Sequence, residues 1–256
     1  MCIRDSDINY LGITGALHAI GNREKPIPPL NLVADYGGGS MFLIFGILAA
    51  LYERALSGKG QTIDAAMVDG VPAMMGLFHQ QIAKGSWTDG ERQSNLLDGG
   101  APFYRCYECS DGKFISVGAL EPQFFAELVE IVKLPEIDLV TQNDRTTWAE
   151  KNKVYEKIFK SKSRDEWSKI FEGTDACVTP ILTLEEAKKY PANLEREVFF
   201  ERDGIIQASP APRFGRTQNP KPGRIRGIGT NSEEILKEIG LDQQEIDELK
   251  NSDVLT

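Results

Sequence analysis

The chain has 256 residues, 41% of them hydrophobic and 26% charged, with a formal net charge of −9. That length holds one large or two medium domains, and the composition is ordinary for a globular protein. The acidic surplus argues against nucleic acid or an anionic membrane surface as a partner, since both need a basic face, but a few local cations could still hold an anionic ligand.

The four cysteines, Cys2, Cys106, Cys109 and Cys177, are too few for a disulfide scaffold. "CYEC" at 106–109 is a lone C-x-x-C without a second pair or a suitable histidine pair. It reads as reduced thiols in a cytoplasmic protein, and no metal site is expected. Neither a targeting segment nor a transmembrane helix is visible.

In chain order, "DINYLGITGALHAIG" reads as a loop and then a helix ending at Gly21. "NREKPIPPLNLVADYGGGS" is a connection whose prolines exclude a helix. "GGGSMFLIFGILAALYERALSGKG" is a long helix entered through glycines and stopped at Gly58. Its apolar run, 41–51, is too short to span a bilayer and reads as a buried core helix. "QTIDAAMVDGVPAMMGLFHQQIAKG" predicts a short strand over 61–66 and another helix.

The polar, Gly-rich stretch 86–102 reads as a linker, and 103–200 as a smaller α+β domain. "FYRCYECSDGKFISVGA" predicts a hairpin turning at Ser110-Asp111-Gly112. "EPQFFAELVEIVKL" is an amphipathic helix, and "RTTWAEKNKVYEKIFKSKSRDEWSKIFEG" holds two more, the second opened by Ser163. "ACVTPILTLEEAKKYP" gives a strand, a turn and a short helix. Residues 201–256 hold a strand-like stretch, a Pro/Gly-rich arm and a helical tail, with Asn231 and Asp242 as N-caps.

Two carboxylates stand at positions suited to chemistry. Asp35 precedes three glycines and a long helix, where free N–H groups and the helix dipole favour its ionised form. The plain alternative is a helix cap. Glu121 follows an apolar strand and precedes Pro122, at a strand-to-helix turn, where the alternative is first-turn helix chemistry. "DINY" offers a carboxylate, an amide and a phenol in a loop. His18 and His79 lack metal-type spacing and read as core or surface histidines. No Walker loop, nucleophile elbow or dinucleotide fingerprint is present.

Taken together, "DINYLGITGALHAIG", "PIPPLNLVADYGGGSMFLIFGILAALYER", "SGKGQTIDAAMVDG", "LLDGGAPFYRCYECSDGKFISVGALEPQFF" and "TDACVTPILTLEEA" closely resemble the alpha-methylacyl-CoA racemases, members of the family III CoA-transferase fold. The resemblance runs from Asp7 to the C-terminus. It implies an α/β chain with part of a Rossmann-like large domain over 6–85, the 86–102 linker, the small α+β domain over 103–200 and a return to the large domain over 201–256. It also implies an interlocked homodimer whose active site lies between the large domain of one subunit and the small domain of the other. The racemases carry a further N-terminal portion with CoA contacts, and a catalytic histidine where this chain has Ser6.

Residues 1–5 read as a non-native tag. "MCIRDS" can be encoded as ATG TGT ATA AGA GAC AGY, which matches the end sequence of a transposase used to fragment DNA for sequencing; AGY would then be the remnant of a histidine codon, CAY.

The reaction so implied is racemisation of a 2-methylacyl-CoA through a thioester enolate, with proton carriers on opposite faces and a stabilised oxyanion. Asp35 matches the aspartate base, and Glu121 the glutamate that orients the histidine and serves the partner subunit's site. Asp7, Ile8, Asn9 and Tyr10 match the loop at the CoA thioester end. No cofactor is implied beyond the CoA of the acyl-CoA substrate, and neither nucleic acid nor membrane insertion is expected. Two alternatives stay open: a CoA transferase of the same fold with Asp35 as nucleophile, and an inactive fragment that lacks the CoA-binding lobe and the histidine.

Overall fold

Local sequence signals set most of the helices. In the computed structural model, which describes residues 6–224 and 226–252, the chain forms two compact units, up to residue 181 and from residue 182. The proposed tag, residues 1–5, lies outside the described residues.

The first unit opens with α1 (Asp7–Ile13) and α2 (Ala16–Ala19). "DINY" is therefore helical, where the sequence predicted a loop. The Ser6 carbonyl accepts from the N–H groups of Asn9 and Tyr10, so the turn closes without a side-chain cap. Gly15, at φ 82°, separates the two helices in a left-handed conformation that glycine adopts without steric cost.

A π-helical segment, Leu32–Met41, runs directly into α3 (Phe42–Ser57). The expected non-helical connection thus ends before Leu32, and Asp35 and the three glycines lie inside the helix. Gly58, at φ 75°, closes α3. Together the two segments form a 26-residue helix, long and apolar enough to cross a membrane by length and composition, yet only 11% of its apolar window is buried. The long helix ending at Gly58 forms as expected, but the expectation that it is buried, with an apolar run too short to span a bilayer, is overturned. Phe45 is 71% exposed and Leu56 76%, because the π segment packs on its neighbours while no residue of α3 is buried.

The next helices are α4 (Met67–Met74) and α5 (Gly76–Ala83). The strand expected over 61–66 is absent: among the described residues no ladder joins it, and an isolated strand leaves its backbone groups unpaired. Instead α4 crosses the π segment at glycines. A Cβ on Gly70 would lie 1.9 Å from the Gly38 carbonyl oxygen, and one on Gly38 would lie 2.7 Å from Val71 Cγ2. Leu11, Ala16, Ala34 and Val71 form the small core of this part.

Residues 86–102 are folded rather than loose. Asn95 is wholly buried; its Oδ1 accepts from the Thr88 N–H at 2.7 Å and from Arg145 Nη2 at 2.9 Å. The Asp98 carboxylate accepts from the N–H groups of Ser94, Asn95 and Gly100. Polar composition alone does not distinguish such a knot from a flexible connection.

The hairpin β1 (Tyr104–Glu108) and β2 (Phe114–Gly118) forms as read from the sequence. Helix α6 (Pro122–Val132) follows, with Phe125, Leu128, Val129 and Val132 buried at helical spacing. After α7 (Ile137–Val140) come α8 (Trp148–Phe159) and α9 (Arg164–Phe171). Ser163 caps α9 in a reciprocal capping box with Glu166. Strand β3 (Val178–Pro180) adds antiparallel to β2. The larger core lies between this sheet and its helices, where Tyr107 stacks on Phe159 at 4.9 Å and Phe103 meets Phe125 edge-on at 5.5 Å.

The second unit contains α10 (Leu184–Ala187), α11 (Pro191–Glu195), the hairpin β4 (Phe199–Arg202) and β5 (Ile205–Ala208), α12 (Ser232–Glu238) and α13 (Gln243–Asn251). Asp242 caps α13 as expected. Asn231 precedes α12, but its amide donates to Glu234 and leaves the backbone uncapped. Glu233 accepts from Lys250, Gln243 and Lys237, which brings the two tail helices together.

Two predictions follow from these contacts. Gly70→Ala should destabilise the chain by about 3 kcal/mol or more, because backbone rather than a flexible side chain occupies the Cβ position. Gly58→Ala, which meets open space, should cost only about 1 kcal/mol, the left-handed penalty; urea unfolding of both variants checks the contrast. In acid, the hydrogen bonds from Lys250, Gln243 and Lys237 hold the Glu233 carboxyl down to about 2, against an ordinary 4.5. Its folded value lies below its unfolded one, so its contribution is complete above about 4.5 and lost as the pH falls through about 2. A carboxyl-carbon NMR titration should find Glu233 among the last acids to protonate.

Candidate active site

Asp35 lies in the first turn of the π segment and is half-buried. Its backbone is gripped from both sides. Its N–H donates to Asp7 Oδ2 at 2.9 Å, across 28 residues of sequence, and its carbonyl accepts from Ser40 Oγ at 2.9 Å. Its carboxylate is held more loosely, with Oδ2 accepting from Asn31 Nδ2 at 3.4 Å. Tyr10, Asn31, Asp35, Ser40 and Met67 contribute to the wall of a cavity of about 580 Å³. A carboxylate on such a wall, near the start of a helix, can take a proton from a bound carbon acid or attack a bound acyl group.

The glycines after Asp35 serve packing. Gly37 and Gly39 lie against Met74 and Met67, and Gly38 lies against Val71, so these three positions bring α4 to the helix that carries Asp35. Among the other "DINY" residues, Tyr10 reaches the cavity, whereas the Asp7 carboxylate is occupied by the Asp35 N–H. Ile8 and Asn9 are exposed on α1. Ser6 is exposed immediately before α1, one residue from Asp7.

Glu121 stands elsewhere. It occupies the N-cap position of α6, exposed and with no side-chain capping bond, so its carboxylate is not spent on the helix. The turn that presents it is fixed from behind: Gln142 Nε2 donates to the carbonyls of Ala119 at 3.2 Å and Leu120 at 3.0 Å. Trp148 Nε1 in turn donates to the Gln142 carbonyl at 2.9 Å. Burial, followed by the negative charge of Glu121, pushes the Cys177 thiol up. Cys177 borders a second cavity of about 580 Å³ together with Asp98, Gly99, Tyr104, Cys106 and Ser116. Asp35 lines the first of these cavities, and Glu121 lines neither.

Of the C-x-x-C pair, Cys106 is exposed and Cys109 buried, because an odd spacing along extended chain points side chains to opposite faces. Among the described residues no group of three or more His, Cys, Asp or Glu side chains is arranged to hold a metal.

Residues 4–227 match CoA-transferase family III. The chain belongs to that family. It is 42% identical to the alpha-methylacyl-CoA racemases of Mus musculus and Homo sapiens, over 97% of its own length and 66% of theirs. A crystal structure of a CaiB/BaiF family protein from Brucella suis has the same fold, with a TM-score of 0.71 at 19% identity, covering 91% of this chain and 62% of that one. The chain therefore spans about two thirds of the length of the relatives it matches.

Sequence reasoning singled out Asp35, Glu121 and Asp7 but missed Asn31, Ser40 and Gln142, which also hold the two carboxylate-bearing turns. Asn31 and Ser40 lie four and five residues from Asp35, a spacing visible only once the helix is known to begin at Leu32. Gln142 carries no local signal, because its partners lie 22 and 23 residues away. Gln142→Ala should leave the Ala119 and Leu120 carbonyls without that donor and cost about 1–3 kcal/mol. Urea unfolding measures the loss, and faster amide exchange confined to residues near 119–122 should accompany it.

Proposed function

We propose that this chain carries the C-terminal two thirds of an enzyme that racemises 2-methylacyl-CoA thioesters. The observation that carries this reading is the placing of Asp35 on a cavity wall, backbone fixed and carboxylate loosely held, in a chain 42% identical to two alpha-methylacyl-CoA racemases. Asp35 removes the alpha proton from one face of the thioester, whose carbonyl oxygen takes up the charge as an enolate. A second carrier returns a proton on the opposite face. In the racemases that carrier is the histidine at the position of Ser6, which here adjoins Asp7, the residue whose carboxylate accepts from the Asp35 N–H. Glu121, presented at its own turn, orients that histidine across a dimer interface. Its separation from the cavity that Asp35 lines supports a site completed between two copies of the chain.

The exposed face of α3 favours a second reading of the isolated chain as an inactive portion of the enzyme. A helix with Phe45, Leu48, Tyr52 and Leu56 bare fits a fold whose remaining third covers it, and the relatives are longer by about that amount. In this reading 6–85 and 201–256 belong to the large domain and 103–200 to the small one.

The test is exchange of the alpha proton of a 2-methylacyl-CoA in deuterated water, followed by mass spectrometry. The chain as it stands should exchange slowly or not at all. Ser6→His should not rescue it, because CoA docking positions the alpha carbon. The histidine together with the relatives' additional third should restore exchange of both enantiomers. In that active protein Asp35→Asn should lose about 10²–10⁴-fold in rate; a rate within about twofold of the parent would reduce Asp35 to a helix-end residue. A hydroxylamine-sensitive acyl-enzyme would instead establish Asp35 as the nucleophile of a transferase.

A further inference from the structure

We infer that Asp7 is a positioning residue for Asp35, acting through the Asp35 backbone and not through the substrate. The inference rests on the reading of Asp35 as the base. In a π-helix each N–H reaches back to the carbonyl five residues earlier, so the first five N–H groups lack a partner inside the segment. Tyr36 is the first to find one, donating to the Asn31 carbonyl just outside it at 3.2 Å. Asp35, one residue earlier, is satisfied by the Asp7 carboxylate at 2.9 Å. A charged acceptor makes this one of the stronger hydrogen bonds available to an amide.

The consequence is directional. Asp7 sits in the first turn of α1 and fixes the Asp35 N–H. Ser40, on the following turn of the π segment, fixes the Asp35 carbonyl. With both backbone groups held, Cα and Cβ are set, and only rotation about the side-chain bonds remains. Among the described residues the side-chain hydrogen bond on the carboxylate comes from Asn31 at 3.4 Å, long enough to yield to a substrate. This is the arrangement a base needs: a fixed root and an available tip. A remote cap that served only the helix would have no reason to fall on the residue whose carboxylate faces the cavity.

The contact and the role can be tested separately. In the chain as it stands, amide hydrogen exchange resolved by NMR reads the contact. Asp7→Ala should speed exchange of the Asp35 amide about tenfold or more relative to its neighbours, while Asp7→Asn, whose side-chain oxygen still accepts, should change it less than about threefold. An unchanged Asp35 amide in Asp7→Ala overturns the contact. In the active, extended protein, Asp7→Ala should lower kcat about 10–100-fold with KM within about twofold, and Asp7→Asn should recover most of the rate. A raised KM at unchanged kcat would make Asp7 a substrate contact and overturn the role. Failure of the underlying reading has its own signature: an Asp35→Asn variant at full rate, alongside an Asp35 amide that is still fast in Asp7→Ala. That pair keeps the contact and overturns the role.

Discussion

The approach of Gly70 to the Gly38 carbonyl governs where Asp35 can be. With no Cβ at either position, the π segment and α4 cross with their backbones in contact. That crossing brings Ala66 and Met67 to the same cavity as Asp35 and Tyr10. One side of the cavity belongs to the helix bearing the carboxylate, and the other belongs to the helix pressed against it. A side chain at Gly70 would wedge the two apart and widen the cavity as surely as it would destabilise the core. Stability and site geometry are one constraint here.

How much of this was legible in the sequence depended on the range of the forces involved. The hairpin at Ser110-Asp111-Gly112, the entry of α6 at Pro122, and the caps at Ser163 and Asp242 all formed where they were read. Each is settled within a few residues by turn stereochemistry or a capping bond. The misread elements depended on distant partners. Residues 61–66 have strand composition, but composition cannot supply a neighbouring strand. "DINY" was read as a loop because a helix there starts on backbone bonds to Ser6 and on an acid whose partner lies 28 residues on. The glycines at 37–39 were read only as the entry to a long helix, and the helix that packs against them comes from residues about 30 positions further on.

The candidate carboxylates share a property that sequence inspection cannot see. At a helix start an acidic side chain ordinarily turns back to accept a backbone N–H, and that was the plain alternative for both. Neither does so. Glu121 makes no capping bond, and the N–H of Asp35 is taken by another residue's carboxylate. Their turns are instead held by side chains from elsewhere: Asp7 and Ser40 for Asp35, and Gln142 for Glu121. Leaving a carboxylate uncommitted costs the fold a local bond, and the distant bonds offset that cost. Such a trade is expected where a side chain is kept for chemistry.

The exposed α3 bears on this last point. If Asp35 owed its place to α3, the bare apolar face of that helix would leave the base undefined until something covered it. The contacts say otherwise. The residues that fix Asp35 lie on α1 and on the π segment itself, and the small core beneath it is built from Leu11, Ala16, Ala34 and Val71. None of these belongs to α3. The wall around Asp35 is therefore fixed within the described residues, with its backbone hydrogen bonds and its small core supplied without α3.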